Sequence, residues 1–123
     1  MRLVTQANQI VLKFEGIEQL YALRRQLTVQ KSSVVSAEYI AVFKDWQKIE
    51  LRLPGTFLPG VILAGSFYTS NGWDFIYGLK PRGWTRPTLH GVLVIETPKQ
   101  RFRRIIVTVS ETQANEVKQW LKT

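Results

Sequence analysis

The chain alternates apolar and polar positions in short stretches bounded by glycine, proline or charged pairs. In QIVLKF (9–14), Ile10, Leu12 and Phe14 fall on one side and Gln9, Val11 and Lys13 on the other. That two-residue period predicts a half-buried strand. KIELRL (48–53) repeats it, with Ile49, Leu51 and Leu53 opposite Lys48, Glu50 and Arg52. Between them GIEQLYALRR changes period: Ile17, Leu20, Tyr21 and Arg24 stand at helical spacing, and Arg24–Arg25 suits the negative end of a helix dipole. QLTVQ (26–30) and SVVSAEYIAVF (33–43) are rich in Val, Ile and aromatic residues and predict two further strands.

GVILAGSFYTSNGWDFIYG predicts a hairpin, because Asn71–Gly72 suits a two-residue turn whose positions both need positive φ. GVLVIET and QRFRRIIVTV predict two more strands, with Pro98 between them marking a turn. The last segment, SETQANEVKQWLK, predicts a helix. Ser110 and Gln113 have capping-box spacing, and Ala114, Val117, Trp120 and Leu121 form its apolar stripe. About eight strands and two helices imply an α+β, mainly β domain over 1–123, an antiparallel meander curled into a barrel or sandwich with the last helix as plug.

Composition changes this picture little. At 123 residues, 45% hydrophobic and 21% charged, the chain has the make-up of one ordinary globular domain. It has no cysteine, which removes disulfides, thiolate metal sites and thiol nucleophiles and fits a reducing cytosol. No signal peptide is expected from the N-terminal residues, and runs such as VILA (61–64) and VLVI (92–95) are too short to span a bilayer. A cytoplasmic protein, peripheral to a membrane at most, is expected.

Motif order adds a resemblance. The segment LRLPGTFLPGVILAGSFY, with Pro54-Gly55-Thr56, Pro59-Gly60-Val61-Ile62 and Ala64-Gly65, is its most specific part. LTVQKSSVVSAE precedes it, and a Gly-Trp strand, VLVIET, RRIIVTV and the terminal helix follow in the expected order. Together they resemble the bacterial pleckstrin-homology-like (PH-like) family over nearly the whole chain. The resemblance implies a curved antiparallel barrel capped by a C-terminal helix. It also implies a binding or assembly module without shared catalytic residues. The basic stretch LKPRGWTRPTLH (79–90) departs from the family's shorter and more acidic connection.

Charge is the strongest functional hint. The formal net charge is +8, and residues 80–104 carry seven Lys or Arg against the single acid Glu96. Lys80, Arg82, Trp84 and Arg86 in the loop, with Arg101, Arg103 and Arg104 at the next strand start, are candidates for contact with an anion or partner. Alternation places Arg101 and Arg103 on one face and Arg104 with Phe102 on the other. The plainer reading is a solvated loop and a charged strand edge. LPGTFLPGV lacks the Gly-Lys-Ser/Thr ending of a phosphate loop. His90, the only histidine, reads as a loop residue, and with no cysteine a zinc site is excluded. The nine acids do not pair for acid–base work. No cofactor, metal or catalytic residue is expected.

The leading expectation is therefore a non-enzymatic module acting through an unidentified protein partner or self-association. The alternative is anion binding, to nucleic acid or an acidic membrane surface, through the 80–104 region.

Overall fold

The computed structural model describes residues 1–22, 24–44, 49–52, 56–58, 60–69, 72–83, 87–98 and 100–123. Its strands are β1 (Arg2–Thr5), β2 (Gln9–Lys13), β3 (Gln26–Gln30), β4 (Ser36–Phe43), β5 (Ile49–Arg52), β6 (Thr56–Leu58), β7 (Ile62–Thr69), β8 (Gly72–Leu79), β9 (Leu89–Glu96) and β10 (Phe102–Thr108). Helix α1 (Ile17–Ala22) lies between β2 and β3, and α2 (Glu111–Leu121) follows β10. The mainly β, α+β class expected from the sequence is the one observed.

Strands β1, β2 and β3 form a small antiparallel sheet. The large sheet runs β4-β9-β10-β8-β7-β5, with β6 also on β7. Two expectations fail here. Among the described residues β4 and β5 stay at opposite ends of the sheet, so no barrel closes. The order is also not a plain meander, because β10 inserts between β9 and β8 and pairs with β8 in parallel. Two strands, β1 and β6, went unforeseen; at four and three residues they are too short for a period to register.

Insertion of β10 puts three strands in the middle of a sheet buried on both faces. Phe75 and Tyr77 of β8, Leu93 and Ile95 of β9, and Ile105 and Val107 of β10 face one core, shared with Ile10 and Leu12 of β2, Leu27 and Val29 of β3, and Ala114 and Val117 of α2. Their alternate neighbours Ile76, Val94 and Ile106 join Phe43, Leu63, Phe67 and Leu89 in a second core on the opposite face. Strands buried on both sides read as continuous apolar runs, which is what FIY, VLVI and RIIV are. In β9 the alternation slips at Gly91, whose φ of 64° lets Leu89 and Val92, three positions apart, both join the second core.

The β7–β8 hairpin forms, but with its turn one residue earlier than expected: it is closed by the pair Thr69↔Gly72, with Tyr68 opposite Trp73 and ring centroids 5.2 Å apart. Gly72 thus belongs to β8 and is not the second turn position; Asn71 lies outside the described residues. The α2 cap is as read: Gln113 N–H donates to Ser110 Oγ at 3.1 Å, and Ser110 N–H to Gln113 Oε1 at 2.9 Å. Helix α1 is shorter than expected. It ends at Ala22, which is buried, while Ile17 at its start is 60% exposed. Arg24 therefore leaves the helix, and its side chain is free to turn toward the core.

Candidate anion-binding site

The parallel β8–β10 pairing decides where the basic residues go. Phe102 pairs with Trp73, and Val107 with Tyr77, so Arg101–Arg104 stand beside the start of β8 while Lys80 and Arg82 follow its end. At about 3.3 Å per residue the two groups are some 20 Å apart. The basic 80–104 region is therefore two sites and not one patch.

At the far end, Lys80 and Arg82 are exposed. Arg82 and Thr88 form an isolated bridge, with N–H to O distances of 3.0 and 2.6 Å. Trp84 and Arg86, inside that loop, lie outside the described residues, as do Trp46 and Pro54–Gly55. His90 is on strand β9 opposite Val42, and exposed; it is not in a loop.

At the near end the arginines divide their roles. A register shift between Phe102 and Arg104 breaks the alternation, so Phe102 enters the first core while Arg104 packs over the Phe43 ring of the second. The two were expected on one face. Arg104, 6% exposed, donates from Nη2 to Asp74 Oδ2 at 3.0 Å and from Nε to Oδ1 at 3.4 Å. Arg103 Nη2 donates to the same Oδ2 at 3.3 Å, and its Nε lies 3.2 Å from Oδ1. A buried carboxylate thus draws in both arginines, and their part is to satisfy Asp74 inside the fold.

Arg101 does something else. Strand β9 gives way to a tight turn in which Gln100 N–H donates to Thr97 O at 2.9 Å and Thr97 Oγ1 donates to Phe102 O at 2.6 Å. Gln100 Nε2 also donates to Ser33 Oγ at 2.9 Å, tying this turn to the short 3-10 turn Lys31–Ser33 after β3. The turn presents Arg101 outward with its guanidinium carbon 5.8 Å from the Phe102 ring centre. On the other side stands Arg24, held where the chain turns from α1 into β3 by Phe14 N–H donating to Arg25 O at 2.9 Å. Its guanidinium carbon lies 5.2 Å from the Phe102 centroid and 5.5 Å from that of Phe75.

Arg24 and Arg101 border a pocket of about 110 Å³, completed by Thr28, Val29, Thr97, Gln100 and Ile105 among others. Burial first, and then the positive charge of Arg101, pull the Arg24 guanidinium below its ordinary range. Stacking on an aromatic face holds each planar fork in place at modest energy. Among the described residues no carboxylate forms an ion pair with either guanidinium. The arrangement presents two guanidinium forks to one pocket.

The sequence flagged Arg101 but not Arg24, which it assigned to a helix end. No local signal could have found it, because the pocket joins residue 24 to residues 97–105 only through folding. Among the described residues no three metal-ligating side chains converge, and no helix is long and apolar enough to cross a membrane. Comparison with family models, curated proteins and solved structures finds no match.

Proposed function

We propose that this chain is a non-catalytic, PH-like module that binds a small anionic group, a phosphoryl or sulfate moiety, between Arg24 and Arg101. The observation that carries this is the pair of guanidiniums sharing the Phe102 ring with no carboxylate partner among the described residues. Arg forks match the oxygens of a tetrahedral anion. The pocket has room for such a group. Support for the PH-like reading is the mainly β body with its C-terminal helix against the core, although the large sheet is open.

Titration calorimetry with inorganic phosphate and a simple phosphate monoester tests the reading. Binding should weaken ten- to hundredfold in Arg24→Gln and in Arg101→Gln, since a hydrogen bond to a charged group contributes about 1.5–3 kcal/mol. It should also tighten between about pH 5 and 7 for the monoester, whose second proton leaves near pH 6, but not for sulfate. Undetectable binding of both anions at low salt, or wild-type affinity in both variants, defeats it.

One observation favours protein contacts as a second reading. Strand β4 has an unpaired outer edge among the described residues, and Val35 and Val42 are 70% and 48% exposed. Such an edge can accept a strand from another copy. Light scattering over a wide concentration range should then show a dimer. A strict monomer removes this reading while leaving the pocket untouched.

A further inference from the structure

The end of the large sheet opposite the pocket carries an unusual surface. Leu58 closes β6, Val61 precedes β7 and Leu79 ends β8, and the three are 43%, 54% and 42% exposed. The backbone gathers them. Leu58 pairs with Ile62, and Ile62 with Leu79. Val61 N–H donates to Leu58 O at 2.9 Å, closing a tight turn, and Lys80 N–H donates to Val61 O at 2.9 Å. Gly60 N–H donates to Pro81 O at 3.0 Å, so backbone hydrogen bonds join the turn to the segment after β8 at one tip.

The tip is flanked by cations. Lys80 and Arg82 are both exposed, and Lys80 holds a φ of 52°, a left-handed conformation uncommon outside glycine. The sequence has no acid between Glu50 and Asp74 or between Asp74 and Glu96. We infer that this tip docks on an anionic bilayer surface, Leu58, Val61 and Leu79 entering the acyl boundary while Lys80 and Arg82 meet the headgroups. Apolar projections beside basic residues suit that interface, because neither attraction alone anchors a protein stably. A second copy of the chain is a poor occupant, since its own cations would face these at a net charge of +8 per copy. The Arg24–Arg101 pocket, some 20 Å away along β8, would stay open to a soluble anion.

Vesicle sedimentation with the full chain tests this, comparing pure phosphatidylcholine with the same lipid containing about a quarter phosphatidylglycerol. The wild-type chain should partition onto the anionic vesicles only, and lose that binding as salt screens the headgroups. Val61→Ser with Leu79→Ser should lower partitioning at least about tenfold. Lys80→Gln with Arg82→Gln should lower it by roughly fivefold per cation. All these positions are exposed, so circular dichroism should show each variant folded, and the charge pair reports independently of the apolar pair. Arg24→Gln with Arg101→Gln should leave vesicle binding intact, which separates this inference from the pocket. It is overturned by absent partitioning, by equal binding to phosphatidylcholine alone, or by unchanged binding in either tip variant. Self-association that disappears in the Val61/Leu79 variant would likewise overturn it, by assigning the tip to another copy.

Discussion

A methyl group at position 78 would come within 2.5 Å of Leu89 Cδ2 and 2.8 Å of Cδ1, and Leu89 has no exposure to absorb the push. Gly78→Ala should therefore lower unfolding free energy by about 1–3 kcal/mol, read as a lower urea midpoint at unchanged slope. A midpoint equal to wild type would show that Leu89 relaxes freely. A second residue-scale expectation concerns pH. Burial disfavours the charged form of Glu18, but the N-terminal ammonium, Glu15 N–H and the Tyr77 hydroxyl at 2.8 Å outweigh it and hold this carboxyl below its ordinary 4.5. A depressed folded value means stability that is fully present above about pH 4.5 and is lost as pH falls through that lower value. The stability gap between wild type and Glu18→Gln should accordingly be flat near neutrality and shrink in acid. A gap that widens in acid contradicts the assignment.

Elements show why some of the fold was legible and some was not. Strand β2 and the α2 cap declare themselves within a dozen residues through period or capping pair, and the β7–β8 hairpin through the apolar runs on either side of its turn. The α1 stripe misled at its ends, where Ala22, small and weakly marked, is buried while the bulky Ile17 faces solvent. The irregularity in β10 was invisible for a different reason. Alternation assigns faces only while the ladder is regular, and the shift at Arg103 exists because Asp74 on the neighbouring strand draws two consecutive arginines toward it. Asp74→Asn should thus destabilise by about 3–5 kcal/mol, leaving Arg104 buried beside a neutral amide. Thermal melts would show it, and a loss below about 1 kcal/mol would mean the cluster contributes little.

At the scale of the molecule, the sequence gives charge its amount but not its address. Seven cations within 80–104 look like one patch in one dimension. The parallel β8–β10 ladder sends Lys80 and Arg82 to one end of the sheet and Arg101 to the other, where it meets Arg24 from a different part of the chain. Pairings between strands that are not neighbours in sequence leave no trace in periodicity, so neither the divided charge nor the two-arginine pocket could be read beforehand. Because the two ends share no side chain, the pocket and tip variants should combine additively in stability, within about 0.5 kcal/mol. Non-additivity in a four-variant denaturation cycle would reveal that the sheet couples them.

The position of β10 has a further consequence. Among the described residues it is the only strand joining β4–β9 to the β8–β7–β5 group, and it follows all of them along the chain. A nascent chain halted short of Phe102 would hold two separate ribbons, each with a bare hydrogen-bonding margin. Such an intermediate is a sticky one, open to donation of the same seven-residue ribbon from a sibling molecule and so to exchange of strands between copies.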